Sequence, residues 1–473
     1  MSSQIFRKQL EKIRPLPPLP SRDDRVPQGE VDDNSYERFY ALKDRNKDLS
    51  EIRMYLPDLP FHTMPQWMSL LTTFVCNLRC PHCETHGTPE LHRHYNNKKL
   101  DMPYETLSRV AKQSLPWADE FCLTMSGEPL ATPNLQKALH ELSQYGAKLD
   151  LTTNGTFFSK ETLLQLIPMT SKVQISIDGA TQLTCEAIRL GVKFKKLLGS
   201  IRLLTRTLEL LPAAMRPPVC ISFTIMGSNI RDLPELVRMA SGLGIQAAHG
   251  HFVIVNELVH VRNEVVEKHK ALYNAYYQRA HALAEEMGVI LIIPPPFPGI
   301  EGDAAAPVGG DGMIINRFPE NHYETLPAPE SWLDHAAIET EASEIAAHLV
   351  SKIPAPVEAP ERHEGVLSGG ASIRNKSFEF LEWCQDTYKE ILRHNGQKIK
   401  YCDMLHKRMY VSPGGDATPC CVFGTPVLGN VNNNTVEEIW NGELYNEFRR
   451  RFRSSDPVDC CKNCIHVQYR SVE

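Results

Sequence analysis

The sequence predicts an α/β protein: a partial (β/α)6 TIM-like barrel followed by a small cysteine-rich C-terminal unit. Three observations carry this. From about residue 66 to 295, short apolar segments alternate with amphipathic ones. A loop with three cysteines follows the first apolar segment. Most of the other clustered cysteines lie near the C-terminus, beyond a stretch rich in Pro, Gly and Ala. Strand–helix alternation marks βαβ units and a parallel sheet. In barrels of this kind the chemistry sits at the C-terminal ends of the strands, which is where the cysteine loop falls.

The expected strands are Ser69–Phe74, Glu120–Thr124, Lys148–Thr153, Val173–Ile177, Val219–Ile225, Gln246–Val255 and Val289–Ile293. Two of the helices between them show clear signals. In TPNLQKALHELSQYG, Leu135, Leu139 and Leu142 share a face and Gly146 caps the end. In NIRDLPELVRMASGLG, Gly244 takes the capping role. Residues 1–65 are polar and punctuated by Pro, and read as an N-terminal arm with one short helix near Asn34–Lys47. Residues 66–295 form the barrel. Residues 296–375 read as an insertion or linker, with helical pieces near Glu330–His335 and Ile338–Ser351. Residues 376–473 form the C-terminal unit: the helix SFEFLEWCQDTYKEILRH, a hairpin around PGGD, and a last helix, TVEEIWNGELYNEFRRRF.

The chain has 473 residues, 42% of them apolar and 23% charged, as in folded globular proteins. A net charge of −6 gives no whole-chain reason to expect nucleic acid or an anionic membrane as partner. No apolar run approaches the ~18 residues of a membrane span, and the N-terminus has no apolar signal region. Clustered cysteines without an export signal read as metal ligands in a reducing compartment, the cytoplasm.

The string TFVCNLRCPHC spaces Cys76, Cys80 and Cys83 as Cys-x3-Cys-x2-Cys. With 13 cysteines in the chain, chance supplies roughly 0.01 such triplets. Three thiolates hold three irons of a 4Fe–4S cubane and leave the fourth iron open, whereas most clusters take four. The bare spacing also suits a zinc knuckle completed by His82 and His86, or three buried thiols. After the second strand come Ser126, Gly127, Glu128 and Pro129, a turn with a carboxylate beside exposed carbonyls. The third and fourth strands end in TTNGT and SIDGA, which place Asn154, Ser176 and Asp178 at strand C-termini. Asn-Gly and Asp-Gly are also ordinary turn formers. Arg189 follows, with a planar fork suited to a carboxylate. Near the end, Cys402, Cys420, Cys461 and Cys464 form a second set, suited to a cluster or to structural zinc.

In combination these strings resemble the radical S-adenosylmethionine (radical SAM) superfamily, over about residues 66–295 and 380–466. The resemblance implies that Cys76, Cys80 and Cys83 hold a 4Fe–4S cluster whose open iron binds S-adenosylmethionine. Ser126, Gly127, Glu128 and Pro129 stand where the family has Gly-Gly-Glu-Pro, a motif that holds the amino group of that ligand. Ser126 replaces the first Gly. Asn154, Ser176 and Asp178 would meet its ribose or carboxylate, and Arg189 its carboxylate. His82 stands where the family has an aromatic residue near adenine. The C-terminal unit is similar to the SPASM/twitch extension in its single-cluster form, with Cys402, Cys420, Cys461 and Cys464 on one auxiliary 4Fe–4S cluster. Cys421 and Cys460, adjacent to these, are alternatives. Cys122, Cys185, Cys220 and Cys384 sit in apolar contexts and read as packed thiols.

The family chemistry is reductive cleavage of S-adenosylmethionine to a 5′-deoxyadenosyl radical, which abstracts a hydrogen atom from substrate. The expected substrate is a small polar metabolite of sugar or aminocyclitol type, undergoing oxidation, epimerisation or rearrangement. A peptide-modifying maturase is the rival. The expected electron source is flavodoxin or ferredoxin, with the basic run FRRRF (Phe448–Phe452) as a docking site or a solvated helix face. Spacing singles out no catalytic base. His92 and His94 read as ordinary loop residues.

Overall fold

The computed structural model describes residues 62–352 and 399–470, short gaps apart, together with a few positions between 43 and 53. The helices expected at Asn34–Lys47 and at residues 377–394, and Cys384, fall wholly or mostly outside the described residues.

Seven parallel strands run in chain order across the described barrel: β1 (Trp67–Leu70), β2 (Glu120–Cys122), β3 (Lys148–Thr153), β4 (Thr170–Ser176), β5 (Val219–Ile225), β6 (Ala247–Phe252) and β7 (Ile290–Ile292). The first strand lies earlier than its sequence pattern suggests. Leu71 N still donates to Val411 O at 2.9 Å, but the chain then leaves the sheet to start the cysteine loop. Helix α1 (Pro89–Tyr95) lies beside the cysteine loop with no buried residue, and further helices pack on the sheet and on one another: α2 (Tyr104–Ser114), α3 (Leu135–Ser143), α4 (Lys160–Met169), α5 (Gln182–Ile188), α6 (Phe194–Leu210), α7 (Leu233–Gly242) and α8 (Lys270–Met287). The outward strand positions are apolar and fully buried under them: Phe121, Leu149, Leu151, Ile175, Ile221, Phe223 and Ile225. Gly244 has φ +75° and its N–H bonds the Ser241 carbonyl, which closes α7 in the way the sequence suggests.

The stretch expected as insertion or linker is held to the barrel at many points. Glu264 is fully buried. Its Oε1 accepts from Ser228 Oγ at 2.7 Å and from Ile314 N at 2.5 Å, and its Oε2 accepts from Ser228 N at 2.8 Å. Buried Asp232 accepts from Ala180 N at 2.7 Å and from Tyr323 OH at 2.6 Å. Helix α9 (His335–Ser351) docks Ala342, Ile345, Ala346 and Leu349 against α6 and α4. Arg206 to Glu339 (2.6 Å) and Lys160 to Glu344 (2.6 Å) flank this seam. Such exposed pairs each contribute about 0–1 kcal/mol, so apolar burial holds the helix.

The C-terminal unit joins the same sheet. After β8 (Ile399–Tyr401) and α10 (Asp403–Lys407), β9 (Arg408–Val411) pairs in parallel with β1, Met68 opposite Met409. The antiparallel strands β10 (Asp416–Thr418) and β11 (Gly429–Asn430) extend it to ten strands. Gly415 makes the hairpin turn at φ +87°. Helices α11 (Val436–Trp440), α12 (Glu443–Arg453) and α13 (Asp459–Lys462) follow, and β12 (Gln468–Arg470) pairs with β8.

Ile345→Ala is expected to lower stability by about 2–5 kcal/mol in urea unfolding, and Glu339→Ala by less than about 1 kcal/mol. Equal losses would contradict an apolar seam.

Candidate functional site

In a parallel sheet, register partners point to the same face. The row Ser176–Ser222–His249–Ile292 crosses β4 to β7, and Thr224 pairs with His251 one row higher. These side chains alternate with the outward apolar set, so they line the lumen. Barrel interiors are usually filled with bulky branched residues. This one carries Ser, His, Thr and Gln174 in its upper rows.

At the strand ends, Glu128 is 1% exposed. Its N–H bonds the Val75 carbonyl at 2.9 Å, one residue before Cys76. Its Oε1 accepts from Thr153 Oγ1 (2.6 Å) and Leu130 N (3.1 Å), and its Oε2 from Asn154 N (2.8 Å). Burial raises its carboxyl above the ordinary range, against the pull of these donors. Glu128 therefore clamps the ends of β1, β2 and β3 together. Gly127 is required beside it: at φ +72°, a Cβ there would lie 2.6 Å from the Thr73 carbonyl oxygen. Ser126 Oγ meets Thr85 Oγ1 at 2.7 Å, and Thr85 Oγ1 meets Cys83 Sγ at 3.4 Å. Pro129 starts the short turn that follows.

Asn154 sits over the cysteine loop. Its Nδ2 donates to Asn77 Oδ1 at 2.8 Å and lies 4.0 Å from Cys76 Sγ. Leu78 N–H points at the same sulfur at 3.4 Å. Burial pushes the Cys76 thiol up to about 11 and the Cys80 thiol up to about 12. Metal ligation removes such protons outright.

Asp178 is 1% exposed and binds Arg189 Nη2 at 2.9 Å and His82 Nε2 at 3.4 Å, while its Oδ1 accepts from Thr224 N at 2.8 Å. Burial alone would raise its carboxyl. Arg189, then His82 and the Thr224 amide, hold it well below the usual range instead. Arg189 Nε and His82 Nδ1 are buried with no hydrogen-bond partner. Arg189 Nε can donate to an acceptor at the end of the barrel that carries the cysteines, whereas His82, with its Nε2–H turned to Asp178, offers Nδ1 as an acceptor. Burial lowers His251, against the field of Asp178. Sequence reasoning missed Asn77, Thr85, His249 and His251. The two histidines belong to a strand whose alternation was legible, so their facing was available, but the identity of the neighbouring rows was not.

His92 is part of a directed chain. His86 Nε2 bonds the Phe74 carbonyl (2.9 Å) and so carries the proton, which leaves its Nδ1 to accept from His92 Nδ1 at 3.0 Å. His92 Nε2 then accepts from Asn96 Nδ2 at 3.3 Å, and Asn96 Oδ1 accepts from Cys76 N at 3.1 Å.

In the C-terminal unit, Cys402, Cys420, Cys461 and Cys464 line one small cavity with Phe448 and Phe452. Cys460 joins them, its sulfur 3.9 Å from that of Cys461, whereas exposed Cys421 does not line the cavity. Buried His406 bonds the Cys402 carbonyl through Nδ1 at 2.8 Å, and Arg453 Nη2 lies 3.2 Å from its Nε2. An arginine only donates, so the proton is on Nδ1. Among the described residues no three His, Cys, Asp or Glu side chains close on a single-ion metal site. Cys185 is buried, while Cys122 and Cys220 are half-buried and face the lumen.

The FRRRF run differs from a free basic patch. Arg449 is buried, Arg450 pairs with Glu443 and Glu447, and Arg451 lies 3.7 Å from Asp456. No described helix is long and apolar enough to cross a membrane.

The radical SAM superfamily profile matches residues 70–240, and that of SPASM, an iron–sulfur cluster-binding domain, matches residues 402–465. The chain therefore carries a radical SAM domain and a SPASM domain. These domains imply 4Fe–4S clusters and S-adenosylmethionine, and the C-terminal cysteines that line one cavity suit a cluster. Among curated relatives, a tungsten-containing aldehyde ferredoxin oxidoreductase cofactor-modifying protein of Pyrococcus furiosus is 25% identical over 189 residues, 38% of this chain and 50% of that protein. A mycofactocin maturase of Mycobacterium tuberculosis is 29% identical over 177 residues, 36% and 41% of the two chains. The chain thus spans about half the length of the curated relatives it matches. Streptococcus suis SuiB bound to S-adenosylmethionine superposes with a TM-score of 0.48 at 14% identity, covering 98% of this chain and 82% of that one.

Two predictions follow from this geometry. Glu128→Ala leaves buried donors unpaired and is expected to cost about 1–3 kcal/mol in urea unfolding, with less iron retained after desalting. Full iron retention would contradict the clamp. Burial lowers both His86 and His92 below their unfolded value of ~6.5. The unfolded chain therefore binds more protons below that pH, and stability falls as pH drops through it. Thermal unfolding of the metal-free chain between pH 7.5 and 5.5 should show this slope, and His92→Gln should flatten it.

Proposed function

We propose that this radical SAM protein abstracts a hydrogen atom from a small substrate bearing hydroxyl or amino groups, of sugar or aminocyclitol type, held in the barrel lumen. The lumenal row Ser176–Ser222–His249 carries this reading. It offers donors and acceptors where an apolar substrate would leave them unpaired, at a cost of about 1–3 kcal/mol each. When bound, the first cluster and S-adenosylmethionine supply the 5′-deoxyadenosyl radical. The chain's own residues position it. Cys76, Cys80 and Cys83 hold the cluster. Ser126, Gly127, Glu128 and Pro129 shape the turn that meets the amino group. Arg189, aligned by Asp178, receives the carboxylate. Asn154, Ser176 and His82 border the ribose and adenine. Cys402, Cys420, Cys461 and Cys464 hold the auxiliary cluster, with Cys460 as a fifth thiol in reach.

One observation favours a second reading, a peptide substrate. Ile254, Ile290 and Ile292 are 74%, 60% and 57% exposed at the open β7 side of the barrel, an apolar lip suited to a longer chain. The mycofactocin maturase relative is in keeping with this reading.

The test is anaerobic. The reconstituted chain should hold about eight irons, four per cluster. After dithionite reduction it should form 5′-deoxyadenosine from S-adenosylmethionine, faster with polyhydroxylated amines than with peptides. His249→Ala should raise the KM for the stimulating compound about five- to tenfold, the worth of one neutral hydrogen bond. Stimulation by peptides alone would select the second reading. No cleavage under any reductant would overturn both.

A further inference from the structure

Arg449 of the C-terminal unit and Arg53, which reaches it from the N-terminal arm, are buried positive charges that no carboxylate among the described residues neutralises. Arg449 is 4% exposed and Arg53 is 8% exposed. Arg449 Nη1 donates to the Trp440 carbonyl at 2.8 Å and to Asn446 Oδ1 at 3.1 Å, and its Nη2 is buried without a hydrogen-bond partner. Arg53 donates to Thr63 Oγ1 at 2.9 Å, to Asn441 Oδ1, and to Asn446 Oδ1 at 2.7 Å. Every acceptor is neutral. The single amide oxygen of Asn446 serves both guanidiniums, so two like charges are held across one atom. Arg449 also lies over the Trp440 and Tyr445 rings, 4.3 and 4.7 Å from their centres. Buried charges are ordinarily paired, and an uncompensated one is strongly destabilising.

The missing anion has one evident source. Helix α12 places Phe448 and Phe452 on the cysteine cavity and turns Arg449 to the adjoining side of the helix. Arg449 lies over the Tyr445 ring, Tyr445 OH donates to the Thr418 carbonyl at 3.2 Å, and Thr418 Oγ1 donates to the Cys420 carbonyl at 3.1 Å. His406, which bonds the Cys402 carbonyl at 2.8 Å, has Arg453 Nη2 3.2 Å from its other ring nitrogen. Five protonated thiols leave this cavity neutral. Four thiolates around a 4Fe–4S core leave it with a net charge of about −2, and about −3 after one-electron reduction.

We propose that Arg449, backed by Arg53, is the counter-charge of the auxiliary cluster and raises its reduction potential. The positive charge favours the state that carries one more electron, so the C-terminal site is biased toward electron uptake. This rests on the reading that the cavity cysteines hold a cluster, and it needs no substrate.

The test uses the full chain with Cys76→Ala, Cys80→Ala and Cys83→Ala, which leaves only the auxiliary cluster. Iron is counted, and the potential is measured by EPR-monitored redox titration. Arg449→Gln is expected to lower the reduction equilibrium constant roughly tenfold, about 59 mV for one electron. Arg53→Gln should shift it in the same direction. Arg449→Lys, which keeps the charge, should hold the parent potential. Arg450→Gln, half-exposed and paired with glutamates, should leave it unmoved. If Arg449→Gln fails to fold, Arg53→Gln and Arg449→Lys carry the test. A potential unchanged or raised at full iron content would overturn the inference alone. No iron in the parent triple variant would overturn the cluster reading and this inference with it.

Discussion

The cysteine loop depends on one buried carboxylate. Glu128 reaches the carbonyl before Cys76 through its own amide and takes three donors from its own turn and the end of β3. Three strand ends, none long enough to fix its neighbour alone, are thereby held in one arrangement. A glutamate suits this work because it offers two oxygens on one rigid group. The backbone amides that it satisfies would otherwise be stranded where the strands fan apart. Asn154 is positioned by this contact and then touches the cluster loop through Asn77. The loop is thus braced from the sheet, and from the far side by Asn96 and the paired imidazoles.

A second layer of electrostatics lies beside that brace. Asp178 draws Arg189 and His82 together and is itself fixed by the Thr224 amide. Its charge is held in a dry place by an opposite charge and a backbone donor, the two conditions under which a buried carboxylate stays ionised. The result is a guanidinium whose direction is set before any ligand arrives, with a nitrogen left over for it. Below this level the lumen is lined by small polar groups, and the apolar burial that stabilises the barrel lies on the other side of the sheet. Stability and recognition are therefore carried by opposite faces of the same strands.

Much of this was legible in the sequence, because it rests on local pattern. Strand periodicity located the barrel strands, and Cys spacing together with the SGEP, TTNG and SIDG strings marked strand ends. What was not legible depends on register or on distant packing. That Ser176, Ser222 and His249 form one row requires knowing how three strands align. That Glu128 faces β3 requires the fan of strand ends. The Pro- and Gly-rich stretch after residue 295 looked like a linker because its composition is loose, yet Glu264 and Asp232, far away in sequence, bind it to the barrel. The FRRRF run looked like a surface charge cluster. Its helix turns Arg449 inward, and the acidic neighbours of Arg450 and Arg451 lie within about two turns, Glu443 and Glu447 on the helix and Asp456 just past its end.

The parallel pairing of β9 with β1 makes the C-terminal unit the barrel's own border. Without it, the outer rim of β1 would present unpaired amides and carbonyls directly beneath the cysteine loop, a template for self-association. The two cysteine-bearing units are therefore neighbours in one hydrogen-bonded fabric, and a distortion of the hairpin is transmitted through backbone to the strand that launches the loop. Exchanging such a unit for another, in evolution or in the laboratory, requires a replacement that brings a strand of matching direction and register as well as its own ligands.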